Sequence, residues 1–139
     1  MRLLSVLHAA ALALAVLPSA APADEADAPA IRGVIRSQVD AFLREDAATA
    51  FTFASPTIRG IFGTPDAFGL MVRRGYPMIW APESVEFLGL REVAGRPYQR
   101  VLFRDAAGAI FLFDYEMVKG PDGWKINGVF PVAPDAAGA

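Results

Sequence analysis

Residues 97–119 read PYQRVLFRDAAGAIFLFDYEMVK, and they decide the fold. Val101, Phe103, Phe111, Phe113, Tyr115 and Met117 stand at alternate positions, with Arg100, Arg104, Asp114 and Glu116 between them. A period of two is the spacing of a strand that shows one side to a core. Ala106-Ala107-Gly108 separates the two halves and makes a hairpin loop. That loop sets Phe103 opposite Phe111 and Arg100 opposite Asp114.

Working outward, the alternation continues on both sides. It predicts four strands, Ser84–Ala94, Pro97–Asp105, Ala109–Lys119 and Gly123–Val132, joined by short loops at Gly95-Arg96 and Gly120-Pro121-Asp122-Gly123. Short connections make an antiparallel meander. Register then sorts the side chains. Face one carries Leu88, Leu90, Val101, Phe103, Phe111, Phe113, Tyr115, Met117, Trp124, Ile126 and Phe130. Face two carries Arg91, Arg100, Arg104, Asp114, Glu116, Lys125 and Asn127, interrupted by Leu102, Ile110, Leu112 and Val129.

Upstream of Pro82 the period is 3.6. Ile31, Val34, Ile35, Gln38, Val39, Phe42 and Leu43 make the apolar stripe of an amphipathic helix. Asp46 caps a second, shorter helix through Ala54. Ser55-Pro56 starts a third, with Ile58, Ile61 and Phe62 inward and Gly63 as its stop. Thr64-Pro65-Asp66 starts a fourth, with Phe68, Met71 and Val72 inward, Arg73-Arg74 at its negative end and Gly75 as terminator. Tyr76 to Pro82 reads as an extended crossing segment. The fold class is α+β: N-terminal helices packed on a curved four-stranded antiparallel meander over residues 31–132.

The ends are read separately. Arg2, an apolar run from Leu3 to Leu17 and Ala21-Pro22-Ala23 have the layout of a signal peptide over residues 1–23, cleaved between Ala23 and Asp24. Export follows, to the periplasm or beyond, with no membrane span after cleavage. Residues 24–30 read as a flexible lead-in and 133–139 as a frayed tail.

Composition excludes more than it assigns. There is no Cys, and the single His is His8, inside the signal segment. Ser-His-Asp and Cys-His chemistry, the usual zinc and copper ligand sets, and disulfides are therefore excluded from the mature chain. No metal or other cofactor is expected. The formal net charge is −2, and the basic residues are scattered, which argues against nucleic acid.

The order of helices and strands resembles the nuclear transport factor 2-like, or cystatin-like, cone. The chain from about residue 31 to 132 also resembles one bacterial family, that of the domain of unknown function 4864. The resemblance rests on Gln38-Val39-Asp40-Ala41-Phe42, Ala50-Phe51-Thr52-Phe53-Ala54-Ser55-Pro56, Ile61-Phe62-Gly63-Thr64-Pro65, Phe68, Met71-Val72, Gly75-Tyr76-Pro77 and Gly123-Trp124-Lys125-Ile126-Asn127-Gly128-Val129. It implies a small exported bacterial protein and carries no assigned activity. The cone hosts enzymes, binders and assembly modules alike, so it does not choose among them.

Three constellations are candidates. Tyr76, Trp80, Gln99, Tyr115 and Trp124 gather where the crossing segment meets face one; they read either as a pocket for a small apolar or amphipathic molecule or as ordinary core. Arg91, Arg100, Arg104 and Asp114 on face two read as a solvated face, a homodimer surface or an anion grip. Paired carboxylates for catalysis need a shared cleft. Asp114 and Glu116 instead neighbour Arg100 and Lys125. A non-enzymatic binding domain leads; an assembly module and an isomerase- or hydratase-like enzyme using Asp or Tyr remain the alternatives.

Overall fold

The helical and alternating patterns separate in space as they do along the chain. The computed structural model describes residues 26–133. The segment 1–23 expected to be a signal peptide and the expected tail past residue 133 lie outside the described residues. Five helices come first: α1 (Ala28–Leu43), α2 (Ala47–Thr52), α3 (Pro56–Phe62), α4 (Pro65–Gly75) and α5 (Pro77–Trp80). Four strands follow: β1 (Ser84–Val93), β2 (Arg96–Arg104), β3 (Ile110–Gly120) and β4 (Gly123–Pro131). The strands form one antiparallel sheet in the order β1-β2-β3-β4, a meander. The fold is α+β, with the helices on one face of an open sheet.

Local chemistry accounts for the helix boundaries. Asp46 accepts from the Thr49 amide at 3.0 Å, Ser55 from Ile58 at 3.3 Å and Thr64 from Ala67 at 3.1 Å. Each is a side-chain N-cap of the kind the sequence signals. Gly63 ends α3 at φ 78°, where a side chain would be strained. Two boundaries differ from the sequence reading. α1 begins at Ala28, inside the stretch 24–30 expected to be a lead-in. Tyr76–Pro82 is not fully extended: Tyr76 breaks the helix before its proline, and Pro77 then opens a single turn, α5. That turn delivers Ile79 into the core.

α1 lays Ile31, Ile35, Val39 and Phe42 on the sheet, all fully or almost fully buried. The core continues through Phe68, Val72, Val101, Phe103, Phe113, Tyr115, Met117 and Ile126. α4 crosses α2 so closely that a methyl group at Gly69 would stand 2.8 Å from the Ala47 Cβ. Ile61, expected to point inward, is exposed, because α3 is too short to bury more than the Ile58–Phe62 side. The helical layer is also stitched to the sheet edge. Ser55 donates its amide to the Ile126 carbonyl at 2.8 Å, and Ile126 donates to Phe53 at 2.9 Å.

The central register matches the sequence: Phe103 faces Phe111 and Arg100 faces Asp114. Two bulges shift the flanks. In β1 the register slips between Phe87 and Leu90. Val85, Phe87 and Leu90 therefore pack against the core, and Leu88 falls within the bulge. Between β3 and β4 the slip leaves Asn127 as the extra residue. Beyond it Val129 opposes Tyr115 on the core side, and Phe130 opposes Asp114 on the outer side, the reverse of the expected faces. An inserted residue inverts the alternation of everything that follows it.

Candidate functional site

A cavity of about 300 Å³ lies between the helices and the β3–β4 half of the sheet. α1 contributes Gln38 and Phe42 to its walls, and α3 contributes Ile58 and Phe62. Phe68, Met71 and Val72 of α4, with Tyr76 and Ile79, form the opposite wall. Tyr115, Ile126 and the run Asn127–Phe130 form the sheet side, with Phe130 at a half-exposed rim. The lining holds no Asp, Glu, Lys or Arg.

The polar groups in this lining are mostly engaged. Gln38 donates its amide nitrogen to the Ala50 carbonyl at 3.2 Å. Asn127 accepts from the Ser55 hydroxyl at 2.8 Å and donates to the Glu116 carboxylate at 2.8 Å. The Tyr115 hydroxyl is different. The residue is fully buried, and this hydroxyl has no hydrogen-bond partner among the described residues. A buried phenol O–H without an acceptor costs about 1–3 kcal/mol relative to a satisfied one. Burial also pushes the phenol pKa far above its ordinary value, so the group is a neutral donor at physiological pH.

The five pocket residues expected from the sequence divide. Tyr76 and Tyr115 line the cavity. Trp80 packs against Phe42, ring centroids 5.4 Å apart, outside the lining. Gln99 is buried at the β1 bulge, accepting from Arg32 at 3.2 Å and donating to the Leu88 carbonyl at 2.8 Å. Trp124 sits under the Lys119 ammonium, 5.7 Å from ring centroid to nitrogen. Asn127, Phe42, Phe62 and Met71 enter the site without having been singled out for it. The apolar spacing of Phe42, Phe62 and Met71 marks them as inward-facing, but spacing does not separate a wall from a filled core. Asn127, expected on face two, reaches the lining as the extra residue of the bulge.

The outer face is organised around two carboxylates. Asp114, 6% exposed, takes Arg91 at 2.7 Å and Arg100 through two bonds of 3.0 and 3.1 Å. Both guanidinium groups are thus engaged by a carboxylate of the same chain. Arg104 lies farther along β2, opposite Ile110. Glu116 takes an ion pair from Arg96, the Tyr98 hydroxyl at 3.1 Å and the Asn127 amide. Lys125, expected beside these acids, instead donates to the Thr52 carbonyl at 2.9 Å.

Burial alone raises the Glu116 pKa, but hydrogen bonds from Asn127, Arg96 and Tyr98 outweigh it and leave the group below its ordinary value. A depressed folded-state pKa stabilises the fold above the unfolded value, and that stability is lost as pH falls through the folded value. The urea midpoint should therefore drop on acidification through the carboxylate range. Glu116→Gln should show a smaller drop over the same window; an identical pH profile in the two proteins would contradict this role.

Among the described residues no three His, Cys, Asp or Glu side chains are placed to hold a metal ion, and no helix is long and apolar enough to cross a membrane. The family model described as a domain of unknown function (DUF4864) matches residues 24–138. No curated protein and no solved structure matches the chain.

Proposed function

Because the chain belongs to the DUF4864 family, a domain of unknown function, its activity has to come from its own residues, and we propose that it is an exported, non-enzymatic binding domain. Its ligand is a small apolar or amphipathic molecule held in the hollow between helices and sheet. The observation that carries this reading is the apolar cavity of about 300 Å³ between the helices and the sheet. Small-molecule pockets start near that size and combine apolar walls with a few polar groups. A cavity of about 150 Å³ already takes benzene. Binding is favoured over proton transfer because no carboxylate lines the hollow and its buried phenol is held neutral. Export rests on the signal layout of residues 1–23.

The test is calorimetric titration of the mature chain with a neutral two-ring probe that the volume admits, 2-naphthol, beside a Met71→Trp variant that fills the hollow. The expected result is saturable one-site binding that weakens at least tenfold in the variant, with the thermal transition retained. Absence of saturable binding to the folded wild-type chain, or equal binding by both proteins, would overturn the proposal.

A further inference from the structure

We infer that helix α3 is the gate of the hollow: it melts away from its neighbours to admit a ligand and refolds over the bound molecule. This rests on the binding function proposed above and adds how a ligand enters and leaves the same site.

Exposure divides the lining into a floor and a mouth. Phe42, Phe68, Val72, Tyr115 and Ile126 are buried and make the floor. Ile58, Phe62, Met71 and Tyr76 are half-buried, and Phe130 is 48% exposed. The hollow therefore opens on the side where α3 and the end of α4 face the last residues of β4.

α3 is the element least held in place there. Among the described helices it alone contains no buried residue. Its two inward side chains, Ile58 and Phe62, both line the hollow, so part of what they face is empty space. Gly60 stands inside the helix, where glycine weakens it. Local opening is easiest where few apolar contacts are buried.

Both ends of α3 are anchored. Ser55 donates its amide to the Ile126 carbonyl and its hydroxyl to Asn127, each at 2.8 Å. Thr64 caps α4 by accepting from the Ala67 amide at 3.1 Å. The stretch between these anchors can leave the surface without carrying the rest of the fold with it. A helix of seven residues does not persist alone in water, so for α3 detachment and melting are one event. Opening is then governed by helix propensity at positions that never touch a ligand.

Two glycines make that test. Gly60 of α3 and Gly33 of α1 both have open space around an added Cβ, and neither lines the hollow. Changing either to Ala favours its helix by about fivefold. The probe is 2-naphthol, followed by stopped-flow fluorescence on the mature chain.

Gly60→Ala should slow association and dissociation about fivefold each and leave Kd unchanged, because α3 is folded in the free and the bound states alike. Gly33→Ala should leave both rates unchanged. In wild type without probe, the amides of Arg59–Gly63 should exchange with solvent at least about 100-fold faster than those of α1 and β3, corrected for intrinsic rates. Low denaturant should not alter that exchange. Exchange of the α3 amides only with global unfolding would overturn the gate. So would 2-naphthol rates that Gly60→Ala leaves unchanged, or that Gly33→Ala slows equally; in each case the hollow stands as a site. Absence of binding to the folded wild-type chain would overturn the binding function, and the gate with it.

Discussion

Phe42→Ala lowers the stability of the domain by about 3–5 kcal/mol, the cost of removing a large aromatic from a packed interior. Phe42 is 1% exposed and meets Phe68 at 5.9 Å and Trp80 at 5.4 Å between ring centroids. It comes from α1, while its neighbours come from α4 and α5, so one ring holds three helices in register. It also borders the cavity, so its removal enlarges a void that already exists, and neighbours have little reason to collapse into it. A loss of this size moves the thermal midpoint by well over about 10 °C in a domain of this length. The check is urea unfolding followed by circular dichroism, with the slope unchanged between wild type and variant. A loss below about 1 kcal/mol would show that α1 is held by other contacts.

The second large effect belongs to the outer face. Asp114→Ala should cost about 2–4 kcal/mol, because it leaves Arg100 without its carboxylate in a site that water reaches poorly. The Arg100 side chain is 19% exposed, and the partner it would lose is 8% exposed. Arg91 is 58% exposed and can return to solvent, so most of the cost falls on Arg100. The sharper measurement is a double-mutant cycle. If the loss comes from an abandoned charge, Asp114→Leu combined with Arg100→Leu should recover a large part of it. A double variant no more stable than Asp114→Ala would point to lost packing instead.

The sheet centre was legible because its loop is chemically explicit. Asp105 accepts from the amides of Ala107 and Ala109 at 3.0 and 2.9 Å, and Gly108 takes φ 84°. A turn built this way fixes which residues face each other, and the Arg100–Asp114 pair follows from it. The helix caps were legible for the same reason: Asp46, Ser55 and Thr64 each act on the residue three positions on. The two bulges went unread, although a glycine inside a strand is their usual mark. Gly89 stands in the first slip, and Gly128 adjoins the second. Misplacing them put Phe130 inside and Val129 outside.

The site was half legible. Tyr76 and Tyr115 could be named because aromatic residues with polar tips stand out on an apolar face. Trp80 and Trp124 share that chemistry, but their positions depend on how far α5 and the strand ends turn away from the cavity. Gln99 instead donates to the Leu88 carbonyl at the β1 bulge. The hollow itself leaves no pattern in the chain. Ile58, Phe62 and Met71 would carry the same spacing whether the space between them and the sheet were filled or empty. Volume is the difference between the distance separating two layers and the side chains that span it, and a sequence gives only the second.

Asn127 can also be understood as a phase shift. Strand β4 alternates in and out, and one added residue advances that alternation by half a cycle. Without the shift, Gly128 would stand opposite Tyr115, the phenyl ring of Phe130 would turn inward opposite Phe113, and the isopropyl group of Val129 would turn to the outside. The capacity of the hollow is therefore set less by the identity of the residues that line it than by a count of residues along one strand.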